Sequence, residues 1–246
     1  MTAPLLRIDG LAAWYGQLPA VRGVSFEIEA GGALAVIGEN GAGKTTLLHS
    51  ICGLHGAATG DVVFAGEQLR GVAAHDIVHR GIALVPEGRR IFPSLSVDEN
   101  LRVAVDQHRR HRGSSGTGAR QWTRERVYEL FPDLRAAAHR GGHQISGGQQ
   151  QMLAIGRALL SEPRLLMLDE ISLGLSPAVV KVVYQALAEI RADGMTLVFV
   201  EQDVRRSLAF SEHMICLHKG TVRLAGPSQA SSLDEVRRAY FGSPAR

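Results

Sequence analysis

Short, almost wholly apolar runs recur along the chain and predict buried β-strands. Residues 33–37, 82–85, 165–168 and 196–200 have the composition of strands that are covered on both faces of a parallel sheet. Residues 25–29 instead alternate apolar and polar side chains, which favours a half-buried strand within the first thirty residues. The pattern therefore predicts an α/β fold that begins with β structure.

Cap residues and apolar stripes predict the helices. Ser176 and Pro177 form a helix start, and Asp193 with Gly194 forms its end. Further helices are predicted after residue 45, over residues 96–138 with a polar interruption, over residues 150–160 and over residues 233–240, and a hairpin is predicted to turn at Lys219 and Gly220. The polar interruption, residues 107–121, is rich in His, Arg, Gly and Ser. We interpret it as a solvated, mobile loop, with a binding patch as the alternative.

Composition argues against several classes of protein. Hydrophobic residues make up 45% of the 246 residues, which is ample for a folded core. The net charge of +3 gives no reason to expect nucleic-acid binding. Cys52 and Cys216 lie far apart, which argues against a zinc site or a disulfide framework. No segment resembles a signal peptide or has the roughly 20 apolar residues of a membrane span, so we expect any membrane role to act through partner proteins.

The most informative motif lies between a predicted strand and a predicted helix. Residues 38–45 match G-x-x-x-x-G-K-[ST], the phosphate-binding loop of nucleoside triphosphatases. Its glycines let backbone N–H groups turn toward a polyphosphate, Lys44 can reach the β- and γ-phosphates, and Thr45 can offer a hydroxyl to Mg²⁺. An ordinary glycine turn before a helix is the alternative. The residues predicted to bind the nucleotide here are Gly38, Glu39, Asn40, Gly41, Ala42, Gly43, Lys44, Thr45 and Thr46.

Two carboxylates follow the predicted strand at residues 165–168. Asp169 and Glu170 would lie at the carboxyl end of that strand, where ligands of open α/β sheets bind. We expect Asp169 to hold Mg²⁺ and Glu170 to polarise the water that attacks the γ-phosphorus. The alternative is a surface Asp–Glu pair that binds no ligand. Because the same chain has a phosphate-binding loop, this alternative is the weaker of the two.

A second glycine motif, at residues 145–149, precedes another predicted helix. Ser146 and Gln149 have the spacing of a capping box, which is a purely structural explanation for both. Gly147 and Gly148 would each weaken the first helical turn by roughly 1 kcal/mol, so they suggest backbone N–H groups that must approach an anion.

These motifs together resemble those of the ATP-binding subunits of ABC transporters, with Ile145 where that superfamily usually has Leu. The resemblance implies that two nucleotide domains pack head to tail, so that residues 146–149 of one close on the ATP that the other holds. It also implies a P-loop NTPase core with an N-terminal antiparallel β subdomain and a helical subdomain inserted at about residues 88–144, all within one domain at residues 4–243. Tyr15 is implied to stack on adenine, although its sequence pattern alone would make it a buried strand aromatic.

The sequence also resembles one particular subgroup of this superfamily. Four segments resemble the branched-chain amino acid transport ATPases of the LivF type: residues 85–92, 168–177, 200–202 and 235–242. Glu87, Leu175 and Gln202 stand where the wider superfamily usually has glutamine, aspartate and histidine. Glu87 can still approach Mg²⁺, and Gln202 can donate a hydrogen bond to a phosphate oxygen without carrying a charge.

The resemblance implies an ATPase that powers an importer, uses ATP and Mg²⁺, and has Glu170 and Lys44 as catalytic residues. The expected partners are two transmembrane permeases, a second ABC ATPase in a heterodimer (a homodimer in isolation) and, indirectly, an extracytoplasmic solute-binding protein, with no nucleic acid. Leucine, isoleucine and valine are the first expected solutes, while close relatives carry urea and amides. The expected location is the cytoplasmic face of the cell membrane.

Two alternatives belong to other classes of protein. A soluble ABC-type ATPase that serves an assembly, nucleic-acid or ribosome complex would usually have a long heptad insertion, zinc cysteines or two tandem nucleotide domains, and the sequence has none of these. A soluble scaffold-assembly ATPase of single-domain size stays the alternative. A phosphate-loop kinase would not need residues 146–149.

Overall fold

The computed structural model describes residues 3–112 and 122–241, which fold into two β-sheets and the helices around them. The strands are β1 Leu6–Tyr15, β2 Leu18–Ile28, β3 Ala33–Gly38, β4 Ala58–Phe64, β5 Glu67–Gln68, β6 Ile82–Val85, β7 Leu165–Asp169, β8 Thr196–Glu201, β9 His213–His218 and β10 Thr221–Pro227. The helices are α1 Lys44–Ile51, α2 Ala74–His79, α3 Val97–Arg112, α4 Arg124–Leu130, α5 Pro132–Ala136, α6 Gly147–Leu159, α7 Pro177–Ala192, α8 Val204–Phe210 and α9 Leu233–Tyr240.

The larger sheet has six strands in the order β10-β9-β3-β8-β7-β6. Its neighbours are parallel except for β9 and β10, which form the predicted hairpin. Strands β3, β7 and β8 are buried along their whole length, as their apolar composition predicts. The parallel arrangement brings the carboxyl ends of β3, β6, β7 and β8 to one edge of the sheet.

The smaller sheet is antiparallel, in the order β2-β1-β4-β5, and contains the β structure predicted for the first thirty residues. Two hydrophobic cores lie on opposite faces of the larger sheet, because side chains alternate along β3. Ala35 and Ile37 face the core built with α3–α7, whereas Leu34 and Val36 face the core built with the smaller sheet and α1.

Helices α3, α4 and α5 follow β6 in the chain and pack against α6. Leu101, Val127 and Leu134 are fully buried in the core that they share with Ile155 of α6. Among residues 3–112 and 122–241, no helix has both the length and the apolar character that crossing a membrane requires.

Most predicted elements are confirmed, and the main differences in bounds concern α3 and α6. Helix α9 has its predicted bounds, and α7 begins after the Ser176 cap, whose hydroxyl accepts from the N–H of Val179. The loop predicted at residues 107–121 is wrong for residues 107–112, which continue α3. Residues 113–121 and Gly242 lie outside the described residues. Helix α6 begins at Gly147 rather than at residue 150, because the Ser146 cap starts it directly.

Candidate nucleotide site

A cleft of about 540 Å³ opens at the edge of the larger sheet where the parallel strands end. It unites the β3–α1 loop with residues from β1 and from the segments that follow β6, β7 and β8. The lining residues are Tyr15, Ala20, Asn40, Gly41, Gly43, Lys44, Thr45, Thr46, Glu87, Glu170, Leu173 and Gln202. All of these except Ala20 and Leu173 were predicted from the sequence. The predicted residues Gly38, Glu39, Ala42 and Asp169 do not contribute to the lining.

The β3–α1 loop packs so tightly that two of its positions require glycine. A Cβ at Gly43 would lie 2.3 Å from the carbonyl oxygen of Ala20, and a Cβ at Gly38 would lie 2.4 Å from that of Leu217. Gly43 also has a φ of +101°, which L-residues rarely adopt. The loop therefore holds its backbone N–H groups in a fixed turn at the start of α1, where the helix dipole favours an anion.

Lys44 is buried at the first position of α1, and its ammonium is satisfied by the loop itself. Its Nζ donates to the carbonyl oxygens of Gly38 at 2.8 Å and Glu39 at 3.0 Å, and lies 3.7 Å from Oε1 of Glu170. A buried ammonium needs such partners, because desolvation without them is costly. The contacts place a positive charge at the base of the cleft, next to Glu170.

Asp169 ends β7 with a buried carboxylate, 1% exposed, whose two oxygens have no hydrogen-bond partner among the described residues. Burial raises the pKa of Asp169 above its ordinary value, and the nearby Thr45 hydroxyl acts in the opposite direction. The charges of Glu170 and Glu87 also raise this pKa. No set of three or more His, Cys, Asp or Glu among the described residues is arranged to hold a metal ion.

Glu170 follows directly and adopts a φ of +49°, in the left-handed region. Its N–H donates to the carbonyl oxygen of Val200 at 3.1 Å. Its Oε2 accepts from Nε2 of Gln202 at 2.9 Å, and the same Nε2 lies 3.2 Å from Oδ1 of Asn40. Asn40, Glu170 and Gln202 are thus linked by hydrogen bonds across the cleft, although they belong to three different loops.

Tyr15 stands at the rim of the cleft with 57% of its surface exposed. The interpretation of Tyr15 as a buried strand aromatic is therefore wrong. Its ring packs at a tilt against His55, with 4.7 Å between the ring centroids, and His55 Nε2 lies 2.9 Å from the carbonyl oxygen of Trp14. His55 carries no sequence signal of this role, because only the fold brings it to Tyr15.

The Ser146–Gln149 motif starts α6 with a reciprocal capping box. Ser146 Oγ accepts from the N–H of Gln149 at 3.2 Å, and Gln149 Oε1 accepts from the N–H of Ser146 at 3.0 Å. A Cβ at Gly147 would lie 2.9 Å from the guanidinium of Arg89, and a Cβ at Gly148 would lie 2.7 Å from a methyl group of Val179. Packing within the chain therefore gives Gly148 a structural reason of its own, whereas the flexible Arg89 side chain could move away from a Cβ at Gly147. None of the four lines the cleft among the described residues.

A second cavity, a groove of about 480 Å³, was not predicted from the sequence. Three arginines and two histidines line it with apolar side chains, and none of the described residues in its lining is acidic. Its lining includes His75, His79, Leu84, Pro86, Arg89, Arg90, Ala154 and Arg157. Arg157 donates to the carbonyl oxygen of Arg90 at 2.9 Å and stacks 4.4 Å from the Phe92 ring centroid. Burial lowers the pKa of this guanidinium.

Comparison with known proteins identifies the family. The family model described as "ABC transporter" matches residues 21–172. The high-affinity branched-chain amino acid transport ATP-binding protein BraG of Pseudomonas aeruginosa is 38% identical over 97% of this chain and 100% of its own length. The probable branched-chain amino acid transport ATP-binding protein LivF of Archaeoglobus fulgidus is 34% identical over 90% of this chain and 92% of its own.

A solved structure has the same fold. The dimeric post-hydrolysis state of an ATP-binding cassette bound to ADP and Pi matches with a TM-score of 0.78 at 23% identity, over 92% of this chain and 100% of that one. The chain therefore belongs to the ABC transporter family, among the ATP-binding proteins of its branched-chain amino acid transport group.

Proposed function

We propose that the chain is the ATP-hydrolysing subunit of an importer and powers the uptake of branched-chain amino acids through partner permeases. The observation that carries the proposal is the cleft, which joins Lys44, Glu170 and Gln202 at the carboxyl ends of parallel strands. The relatives' names supply the solute class. Leucine, isoleucine and valine are the first solutes to test, and urea and short amides are the next.

In this proposal residues 38–46 bind the triphosphate of ATP. Backbone N–H groups of the loop and the N-terminal end of α1 attract the phosphates. Lys44 exchanges its contact with Glu170 for the β- and γ-phosphate oxygens. The exposed Tyr15 ring, supported by His55, offers a face on which adenine stacks.

Thr45, Asp169 and Glu87 are the residues that would hold Mg²⁺. The unpartnered, buried carboxylate of Asp169 beside the Thr45 hydroxyl fits a hard cation. Mg²⁺ commonly takes only one or two protein carboxylates and completes its shell with phosphates and water, so a larger acidic cluster is not required. When bound, it would neutralise charge on the β- and γ-phosphates.

Glu170 is proposed to polarise the attacking water. The water oxygen bonds to the γ-phosphorus while the bond to the β–γ bridging oxygen breaks, and Glu170 accepts the proton. Gln202 contacts Glu170 and is placed to donate a hydrogen bond to a γ-phosphate oxygen. Neither Glu170 nor Gln202 can carry a positive charge. The positive charge near the transferred γ-phosphoryl group would therefore come from Lys44 and from the cation when it is bound.

Residues 146–149 are proposed to act on a nucleotide that a second subunit holds. They lie apart from the cleft of their own chain, and the start of α6 presents N–H groups suited to a phosphate. This favours a head-to-tail dimer with a related ATPase, or with a second copy of this chain in isolation. Closure would remove water around the γ-phosphate and so strengthen every polar contact there.

The basic groove is the surface that we propose for the permease. The segment after β6 links it to the nucleotide cleft, because Glu87 lines the cleft while Pro86, Arg89 and Arg90 line the groove. We propose that a shift at Glu87 moves Arg89 and Arg90 through the backbone that they share. The arginines favour a permease segment that carries a carboxylate, and this contact would hold the chain on the cytoplasmic face of the membrane.

Affinity purification of the tagged full chain from gently solubilised native membranes, with mass spectrometry of the partners, tests the proposal. We expect two multi-span permeases and a second ATPase. Arg90→Glu should reduce permease recovery, and Arg223→Glu, at an exposed position on β10, is the matched control. Recovery only from the soluble fraction, with ribosomal or assembly proteins, would contradict transport and leave a soluble ATPase.

A further inference from the structure

Glu201 is a buried carboxylate at the end of β8 that the proposed chemistry does not use. It is 2% exposed, yet both oxygens are bound. Oε2 accepts from Ser172 Oγ at 2.8 Å and from the N–H of Gln202 at 3.2 Å, and Oε1 accepts from the Tyr184 hydroxyl at 3.0 Å. Burial raises the pKa of Tyr184, and the charge of Glu201 raises it further.

Two of the three partners of Glu201 belong to loops that carry polar side chains of the cleft, and the third, Tyr184, lies on α7. Ser172 lies two residues after Glu170 in the β7–α7 loop, and Gln202 is the next residue along the chain from Glu201. The same β7–α7 loop is attached to β8 a second time, through the N–H of Glu170 and the carbonyl oxygen of Val200. The Gln202 side chain also donates a hydrogen bond to Glu170, so the two loops contact each other directly.

Glu170 needs such support because its backbone is in a sparsely populated conformation. A φ of +49° costs an L-residue free energy and persists only where the surroundings fix it. Ser172 is the point at which a side chain from β8 holds the loop, and that side chain is Glu201. Buried charged groups often add little to the stability of a protein, and apolar residues can often replace them. Glu201 differs because it connects the β7–α7 loop to the residue that follows β8.

We propose that Glu201 is a positioning residue for ATP hydrolysis: through Ser172 and the N–H of Gln202 it holds Glu170 and Gln202 in a fixed mutual orientation. The inference rests on the proposed role of Glu170. It predicts that loss of Glu201 lowers turnover while leaving ATP binding at residues 38–46 largely unchanged, because the hydrogen bonds of its carboxylate go to Ser172, Tyr184 and Gln202 rather than to that loop.

Steady-state ATP hydrolysis by the purified full chain tests this. Glu201→Ala should lower kcat about tenfold or more, as small displacements of reacting groups do, with KM for ATP within about twofold. Glu201→Gln should recover kcat to within about threefold of the wild type, because its amide can accept from Ser172 and donate to the Tyr184 hydroxyl.

Ser172→Ala should lower kcat without unfolding the protein, which keeps the test open if Glu201→Ala does not fold. Ser211→Ala is the control, since it removes another hydrogen-bonded serine hydroxyl, one bound to Ser228 and away from the cleft.

Several outcomes would overturn the inference. It is wrong if Glu201→Ala and Ser172→Ala lower only the unfolding midpoint and leave kcat unchanged, or if Glu201→Gln is as impaired as Glu201→Ala. Glu170→Gln separates the two levels of the account. If Glu170→Gln retains full kcat, the proposed function of Glu170 fails; if it abolishes hydrolysis while the Glu201 and Ser172 variants do not change kcat, only the role of Glu201 fails.

Discussion

At the residue scale, Asp169 has a buried carboxylate that makes no hydrogen bond of good geometry among the described residues, although the Thr45 hydroxyl lies near enough to lower its pKa. Such a carboxylate lowers the stability of the protein on its own, so it indicates selection for a ligand rather than for folding. Glu201 is the contrasting case, since it is equally buried but has all its hydrogen bonds within the chain.

Asp169→Asn should therefore raise the free energy of unfolding in the absence of nucleotide by about 1–3 kcal/mol, because it removes the buried charge while keeping the size and polarity of the side chain. Burial raises the pKa of Asp169, so ionisation costs stability as the pH rises, and the advantage of the variant should grow from acidic to neutral pH. Urea unfolding with and without Mg²⁺ and ATP measures both effects, and the ligand should stabilise the variant less than the wild type. Asp9→Asn, at an exposed site, is the control. A variant less stable than the wild type at neutral pH would show that the carboxylate has a partner.

Alanine substitutions at Gly41 and Gly43 distinguish the cost of backbone strain from the cost of a steric clash in the same loop. Gly41→Ala meets open space at a φ of +79° and should cost about 1 kcal/mol of stability. Gly43→Ala combines a φ of +101° with a Cβ 2.3 Å from a carbonyl oxygen and should cost about 3 kcal/mol or more. Unfolding midpoints in urea measure the difference. Equal costs at the two positions would contradict the tight packing of the loop against Ala20.

At the element scale, the parallel strands β3, β6, β7 and β8 were predictable because runs of four or five mostly apolar residues require burial on both faces. The extension of α3 through Arg112 was not, since residues 107–112 contain no apolar side chain and so show no helical stripe, although Gln and Arg favour a helix intrinsically. Helix α8 was missed because it has only seven residues, too few for a clear stripe, despite its Asp203 cap.

The candidate site divides in the same way. Lys44, Asp169 and Glu170 were predictable, because their motifs fix them next to a strand end. The contacts of His55 with Tyr15, and of Glu201 with Ser172 and Tyr184, depend on residues that only the fold brings together, and no local pattern encodes them.

Where α4 packs against α6, the small size of Gly156 makes room for Val127, and this dependence should be measurable. A Cβ at Gly156 would lie 2.6 Å from a methyl group of the fully buried Val127. Gly156→Ala should therefore be destabilising by about 1 kcal/mol despite its gain in helix propensity, and Val127→Ala by about 2 kcal/mol. The double variant should be more stable than the sum predicts by about 1 kcal/mol, measured by urea unfolding. Gly156→Ala with Val62→Ala, in the other core, is the additive control. Additivity in both pairs would contradict this packing.

At the scale of the whole molecule, the residues proposed to act on ATP form two surfaces that do not meet within one chain. The cleft holds Lys44 and Glu170, while residues 146–149 lie at the start of α6 outside its lining. Under the proposed function a complete site requires a second subunit, and ATP bound between two subunits would stabilise their association.

Glu170→Gln with ATP and Mg²⁺ should therefore convert the purified chain from monomer to dimer, because ATP binds and is not consumed. Light scattering coupled to size-exclusion chromatography measures the mass. Lys44→Ala, which weakens phosphate binding, and Glu189→Gln, an exposed carboxylate on α7, are the controls and should remain monomeric and wild-type-like respectively. A Glu170→Gln chain that binds ATP and stays monomeric would contradict the homodimer in isolation.

Uptake of radiolabelled leucine is the decisive test of whether this chain powers import. It is measured in cells of the source organism that lack the native chain and carry either the wild type or Glu170→Gln at matched expression. The account predicts that the wild type restores leucine uptake, that Glu170→Gln leaves it at the level of the deletion, and that excess unlabelled isoleucine or valine competes. Full uptake with Glu170→Gln, or no loss of uptake on deleting the chain, would contradict it.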